Sequence, residues 1–286
     1  MTIRNPVEWG SDTVRSTAHA ISMAGPFLSR PEETLDTRVP VIRRVELSDL
    51  RDVLGYGLSD FVENRTDLIF VSLIYPLAGL VLAQFALGIA VLPLLFPLAS
   101  GFALIGPFAA TGLYEMSRRR EIGEAVSWGS AAKVFKSPSF GAIFRLGLLL
   151  SAIFLVWLWC AMEIYKLTLG PDMPASFQIF MSDVFTTGAG WALIIIGTGV
   201  GFLFALLVLS ISVVSFPMLL DRRVSVATAI STSIKAVREN PVSMLTWGFI
   251  VAAGLVLGSI PAFVGLIVVM PVFGHATWHL YRRAIG

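Results

Sequence analysis

Two histidines four residues apart are the strongest candidates for chemistry in this sequence. His275 and His279 stand near the end of a long apolar stretch, where side chains at i and i+4 share one helix face. Both imidazoles could therefore reach one metal ion or haem-type group, but a metal site needs at least a third ligand. The remaining histidine, His19, lies in the polar N-terminal region. Acids would serve only if the fold brought them close, and the candidates are Glu115, Glu121 and Asp221.

The sequence therefore predicts no bound metal and no cofactor. We interpret His275 and His279 as an interfacial pair that hydrogen-bonds to backbone or to lipid phosphate. The alternative is a haem- or metal-binding redox component that uses both rings.

Two other polar residues are candidate binding groups because they lie in apolar surroundings. Glu163 follows a long apolar run and precedes Lys166 by three residues, which favours an interfacial ion pair over a proton relay. Gln84 is the one strongly polar residue deep in its apolar segment, where an amide more often bonds a neighbouring helix than a substrate.

Patterns typical of enzymes are missing. Gly197-Thr198-Gly199-Val200-Gly201 lies inside an apolar run with no strand before it, so it is not a nucleotide-binding loop. We instead predict close helix packing at Gly197 and Gly201, and likewise at Gly254 and Gly258. No Walker loop, Ser/His/Asp set or paired intramembrane aspartates can be recognised, which disfavours an enzyme. The single cysteine, Cys160, excludes an internal disulfide and is predicted to be buried and inert.

These residues must be positioned by helices that cross a membrane. Hydrophobic residues make up 56% of the 286 and charged residues 14%, against about 25% charged in soluble domains. Uncharged runs extend over residues 68–114, 184–220 and 241–281, and a helix needs about 20 apolar residues to span a bilayer. We predict an all-α polytopic membrane protein with six spans, at 68–91, 94–115, 140–163, 188–216, 242–259 and 262–281.

Proline positions predict that the spans are arranged in three hairpins. Pro93 and Pro261 each divide a run that is twice as long as a bilayer core needs, so each run is read as two helices joined by a tight turn. Residues 1–42 are polar and rich in proline, which predicts a cytoplasmic tail ahead of a membrane domain at 43–286.

The distribution of positive charge predicts the orientation. With both termini on one side, 20 of the 21 Lys and Arg residues lie on or near that side, and Lys166 alone lies opposite. Cytoplasmic loops carry the excess of Lys and Arg, so both termini are predicted to be cytoplasmic.

A threefold internal repeat is also predicted, with units at about 43–117, 118–221 and 222–286. In each unit a basic cluster precedes an amphipathic helix, a capped turn and two spans. The first helix carries an apolar stripe, the third a similar one and the middle one, near 121–136, a weaker one. The stripes consist of Leu47, Leu50, Leu54, Leu58 and Phe61 in the first and of Val226, Ile230, Ile234 and Val237 in the third. The capped turns are Asn64 to Asp67, Ser137-Pro138 and Asn240-Pro241.

Three segments carry a resemblance to a known family. They are FPLASGF (96–102), GPFAATGLYEMSRR (106–119) and GHATWHLYR (274–282). They resemble the DUF2189 family of bacterial integral membrane proteins, a domain of unknown function, over roughly residues 45–284. The resemblance implies a bacterial inner-membrane location. More loosely, the basic pair, amphipathic helix and Asn-Pro resemble the membrane domain attached to some glycerophosphodiester phosphodiesterases, without their catalytic domain.

The sequence thus favours a non-enzymatic protein that scaffolds, assembles or binds lipids or partners. Its predicted partners are the lipid bilayer and other membrane proteins, and nucleic acid is not expected because the net charge is only +2. A transporter or channel for a small solute is the alternative, and it is weakened by the scarcity of ionisable residues within the spans.

Overall fold

The computed structural model describes residues 40–63, 89–124, 126, 134 and 137–286. Over these residues the regular structure is helical, apart from one isolated bridge between Ile42 and Ile285. A 3-10 helix at Ile89–Leu94 runs directly into the α-helix Leu95–Ala109. The ten α-helices of the described ranges are α1 Leu47–Glu63, α2 Leu95–Ala109, α3 Thr111–Glu121, α4 Phe140–Thr168, α5 Phe177–Thr186, α6 Gly188–Ser212, α7 Ser215–Asp221, α8 Val226–Glu239, α9 Pro241–Ser259 and α10 Leu266–Ala284.

Three segments in the described part of the chain are long and apolar enough to cross a membrane. They are Phe140–Thr168, Gly188–Asp221 and Pro241–Ser259. They coincide with the third, fourth and fifth spans that the sequence predicts. The predicted helical architecture with several long apolar helices is therefore confirmed over the described residues, and these helices have the length that a bilayer core of about 30 Å requires.

The other predicted spans have different outcomes. The first, at 68–91, lies almost wholly outside the described residues. The second is helical but divides at Ala110 into α2 and α3, with Pro107 inside α2. The sixth is α10, which follows a turn where Ala262 and Phe263 adopt positive φ angles of 49° and 66°. Six spans in three hairpins remain a prediction.

The two described amphipathic helices, α1 and α8, dock through faces that overlap their predicted apolar stripes only in part: Leu50 and Phe61 of the first stripe and Val237 of the third are buried. In α1 the buried face includes Val53, Gly57 and Asp60, while Leu47 and Leu58 stay about half exposed. A Cβ atom on Gly57 would lie 2.6 Å from the Val272 carbonyl oxygen of α10. Glycine here permits a close helix contact, with Leu50 and Phe61 of the predicted stripe buried and Leu47 and Leu58 left at its edge.

In α8 the buried face is likewise shifted away from part of the predicted apolar stripe. Ala229, Ser233 and Ala236 are fully buried, whereas Ile230 and Ile234 of the predicted stripe are only partly buried. Ser233 Oγ accepts the backbone N–H of Val214 at 3.2 Å. Both helices therefore bury small or polar residues together with part of the predicted stripe, while the other apolar residues of the stripe stay at the edge of the contact.

The two amphipathic helices pack against different parts of the chain. Helix α8 packs against α6 and α7, which precede it, while α1 packs against α10, the last helix. The arginine-bearing ends of α3, α7 and α10 contact one another. The predicted middle amphipathic helix lies mostly outside the described residues, and Glu121, where it was predicted to begin, is the last residue of α3.

Hydrogen bonds between the backbone of the segment before α1 and the side chain of Asn240 hold that segment in place. Asn240 Oδ1 accepts the N–H of Val45 at 2.7 Å, and Asn240 Nδ2 donates to the Arg43 carbonyl. Pro241 occupies the first turn of α9 as predicted, but the Asn240 side chain does not cap that helix. The cap predicted at Ser137-Pro138 does not start its helix either, because α4 begins at Phe140, two residues beyond Pro138.

Candidate functional site

A buried polar cluster joins α1, α3 and α10 around the carboxylate of Asp60. Ser117 Oγ donates to Asp60 Oδ2 at 2.6 Å, and His279 Nε2 lies 3.0 Å from the same oxygen. The guanidinium of Arg120 binds Asp60 Oδ1 and also contacts Glu63. His275 Nδ1 lies 2.7 Å from Ser117 Oγ. Asp60, Ser117 and His275 are each at most 5% exposed, so the cluster is enclosed by the three helices.

The donors and acceptors in this cluster fit one assignment of protons. The hydroxyl of Ser117 has a single proton, which it donates to Asp60, so its oxygen accepts Nδ1–H of His275. That tautomer leaves a lone pair on His275 Nε2, a fully buried atom without a hydrogen-bond partner among the described residues. His275 therefore ends the chain of hydrogen bonds with one unsatisfied acceptor, which is uncommon in a folded protein.

The electrostatics of the cluster keep Asp60 ionised. Burial by itself raises the pKa of Asp60, but the hydrogen bonds from His279 and Ser117 and the nearby charges outweigh it, so the pKa is below its ordinary value. A charged carboxylate with several donors forms the strong type of hydrogen bond. The cluster is thus suited to fastening α1 to α3 and α10.

This arrangement corrects part of the sequence interpretation. His275 and His279 do lie on α10 with Glu121 nearby, but their ring nitrogens contact Ser117 and Asp60, where we had predicted backbone or lipid phosphate. The serine, histidine and aspartate that the sequence did not reveal as a set are adjacent in space. Ser117 is 2% exposed and donates to the carboxylate, an arrangement unlike that of an activated nucleophile.

The other candidate residues lie away from this cluster. Glu163 is partly exposed and pairs with Lys166 at 2.8 Å, as expected for an interfacial pair. Gln84 falls outside the described residues. Cys160 is a free thiol and is half-buried. In the described ranges, no group of three or more His, Cys, Asp or Glu side chains is arranged to hold a metal ion.

The basic clusters at the ends of α3, α7 and α10 form a layer of ion pairs. Arg118 Nε binds Glu115 at 2.8 Å, and Arg282 connects α10 to Glu121 of α3 at 2.9 Å. Six arginines of this layer face seven carboxylates: Arg118, Arg119, Arg120, Arg222, Arg282 and Arg283 against Glu115, Glu124, Asp60, Glu63, Asp221, Glu121 and Asp49. Among these groups there is no surplus of positive charge.

An apolar cavity of about 370 Å³ lies between α2, α3, α6, α9 and α10. Its floor includes the buried side chains of Leu104, Val208 and Trp247. Its rim includes Phe202 of α6 and Phe249 of α9, which are 58% and 73% exposed. The cavity therefore opens between α6 and α9, which in the described part of the chain are both long and apolar enough to span a membrane.

Two of the hydroxyl groups that line this cavity are bonded within their own helices. Ser212 Oγ donates to the Val208 carbonyl at 2.6 Å, and Thr277 Oγ1 donates to the Phe273 carbonyl at 2.7 Å. A cavity with apolar walls and satisfied polar groups stays dry and takes apolar molecules.

Sequence reasoning missed Asp60, Ser117 and the cavity. One signal was present, because Asp49 and Asp60 are eleven residues apart and so lie on one face of α1, beside its apolar stripe. Both are buried, and Asp49 binds Arg283 of α10 at 3.0 Å. The cavity had no comparable signal, since it depends on how far apart the helices stand.

Comparison with known proteins gives one match. The family model described as a predicted integral membrane protein (DUF2189) matches residues 94–221, from the end of the 3-10 helix to the end of α7. The resemblance is therefore confirmed over this range, which does not include the histidine pair. The searches of curated proteins and of solved structures found no match.

Proposed function

We propose that this integral membrane protein, which is similar to the DUF2189 family over residues 94–221, is a non-enzymatic protein that binds one lipid chain in its lateral cavity. We further propose a bacterial inner-membrane location with both termini cytoplasmic. The location is supported by the family resemblance, and the orientation by the 20 of 21 Lys and Arg residues that lie on or near one side.

The observation that carries the proposal is the shape and chemistry of the cavity. Its lining on α6 extends from Phe202 to Val213, which is about 17 Å at 1.5 Å per residue. The hydrocarbon core of one leaflet is about 15 Å thick, half of a bilayer core of about 30 Å. A lipid chain that enters between α6 and α9 would thus find an apolar slot of matching length.

Transport is the second candidate, and the buried polar cluster favours it. Carboxylates and histidines inside membrane proteins often relay protons. His275 Nδ1 lies 3.9 Å from Asp60 Oδ2, and its Nε2 has no hydrogen-bond partner among the described residues and could accept a proton. Purified protein in liposomes carrying a pH-sensitive dye would test for proton flux. Flux that disappears in the His275→Ala variant would favour a transporter over a binding protein.

The binding proposal is tested by the lipids that remain with the purified protein. Annular lipid is removed by repeated detergent exchange, and the retained lipid is counted by native mass spectrometry. We expect about one retained lipid per protein, because one slot of this size admits one chain. Ala252→Phe, which fills the slot from its rim, should abolish retention.

Val256→Phe is the matched control, since Val256 is 65% exposed one turn further along α9 and does not line the cavity. It should retain lipid like the unmodified protein. Equal retention by Ala252→Phe and Val256→Phe would show that the lipid binds elsewhere and would overturn the proposal.

A further inference from the structure

On the premise that the cavity takes a lipid chain, we infer that its ligand is a neutral lipid, such as a diacylglycerol or a long-chain alcohol, and not an anionic phospholipid. The inference rests on the proposed function and concerns what the cavity selects. It follows from the closed end of the cavity and from the paired charges beyond that end.

The cavity closes before it reaches the layer of ion pairs. Its lining on α3, α6 and α10 ends at Tyr114, Val213 and Thr277. The residue that follows Thr277 is Trp278, which is fully buried and donates from Nε1 to Glu121 at 3.1 Å. Phe216, three residues beyond Val213, is fully buried as well. A headgroup at this end of the slot would therefore meet apolar walls without free donors.

The arginines beyond the closed end cannot compensate a phosphate for its lost hydration. Arg118, one turn after Tyr114, uses Nε and Nη2 to bind both oxygens of Glu115. Arg282, just past Trp278, binds Glu121 and Asp221. A phosphate would have to displace these carboxylates, and burying a charge without a partner is expensive. Burying a hydroxyl or ester headgroup costs much less free energy, because these groups carry no charge.

Among the described residues, the lining carries no charged side chain that could bind a phosphate. Two of its hydroxyl groups, those of Ser212 and Thr277, already donate to backbone carbonyls on their own helices. Gly248 lines the wall where a Cβ atom would lie 3.0 Å from Leu209, so α6 and α9 approach closely at this point and bound the slot there. Selection by shape and by the absence of charge is the remaining mode of recognition.

Trp247 provides a native reporter for this test. Its side chain lines the cavity but is only 2% exposed, so lipid outside the slot has little contact with it. Two probes with identical dibrominated chains would be compared in phosphatidylcholine nanodiscs, one a diacylglycerol and the other a phosphatidylglycerol. Bromine quenches tryptophan fluorescence on contact, and the difference between the unmodified protein and Trp247→Phe isolates the signal from the cavity.

We expect Trp247-dependent quenching by the diacylglycerol to reach half its maximum at about tenfold lower mole fraction than by the phosphatidylglycerol. Ala252→Phe should remove the signal, whereas Val256→Phe should keep it. Equal quenching by both probes, or stronger quenching by phosphatidylglycerol, would overturn the neutral-lipid inference and leave chain binding in place. Absence of Trp247-dependent quenching by either probe would overturn the proposed function itself.

Discussion

Replacing Asp60 by asparagine tests whether the polar cluster fastens α1 to the rest of the domain. Asparagine has nearly the same shape, but it removes the negative charge and offers one acceptor oxygen in place of two. Ser117, His279 and Arg120 all donate to the carboxylate. At least one of these donors would lose its acceptor or bond to a weaker one, at a residue that is only 5% exposed.

The cost can be bounded from the surroundings. Removing one member of a fully buried charge pair costs about 3–5 kcal/mol. The Arg120 side chain is 32% exposed and keeps Glu63, so part of its charge stays compensated. We therefore expect Asp60→Asn to lower the free energy of unfolding by about 2–3 kcal/mol. For a domain of this size, that corresponds to a fall in Tm of roughly 5–10 °C.

The assay is thermal unfolding in a mild detergent, followed by the loss of the folded peak in size-exclusion chromatography. Asp52→Asn is the control, because Asp52 is an exposed acid on the same helix. A Tm for Asp60→Asn within about 1 °C of the control, equivalent to less than 0.5 kcal/mol, would refute the fastening role.

The pH dependence provides a second readout of the same cluster. Because the pKa of Asp60 in the folded protein lies below its ordinary value of 3.8, its contribution to stability is present above that value. The contribution is lost as the pH falls through the lower, folded pKa. The unmodified protein should lose Tm more steeply than Asp60→Asn in the range below about pH 4. Parallel curves for the two proteins would contradict this account.

Three further predictions concern helix docking, the histidines and the topology. Gly57→Leu should undock α1, because its Cβ would lie 2.6 Å from the Val272 carbonyl oxygen. Gly55→Leu should be tolerated, since a Cβ there meets no atom within 4 Å. Limited proteolysis within α1 would distinguish the two variants. His275→Ala combined with His279→Ala should leave membrane insertion intact, and metal analysis and an optical spectrum of the unmodified protein should show neither stoichiometric metal nor a Soret band. A reporter that is active only outside the cytoplasm should be active when fused after residue 172 and silent after 120, 223 or 286; activity at any of the last three would refute the predicted orientation.

The membrane-spanning helices could be predicted because their signal is local. Apolar runs of sufficient length identified α4, α6 and α9. Amphipathic periodicity identified α1 and α8 within a few residues and predicted their docking faces in part, since Leu50, Phe61 and Val237 of the stripes are buried. The contact side of α1 is shifted towards Val53 and Gly57, and a glycine has no hydrophobic signal of its own.

The polar cluster could not be predicted because it depends on distant parts of the chain. Asp60 and His279 are 219 residues apart, and nothing near either residue in sequence indicates the other. Asp60 looked like an ordinary solvent-facing acid on an amphipathic helix. The arginine clusters were correctly recognised as flanking the apolar runs, but their carboxylate partners, such as Glu115 and Asp221, became apparent only from the packing of α3, α7 and α10.

The docking of the first helix against the last has a consequence for biosynthesis. Val45 and Asp60 find their partners at Asn240 and His279, which leave the ribosome about 195 and 219 residues later. At roughly 5–20 residues per second, α1 waits for at least about ten seconds with its carboxylates and Gly57 face uncovered. During that interval its leucine stripe could rest on the membrane surface as an interfacial helix does. Truncated chains that stop before α10 would keep α1 in this uncovered state, and a protease that recognises it could remove incomplete copies while sparing finished ones.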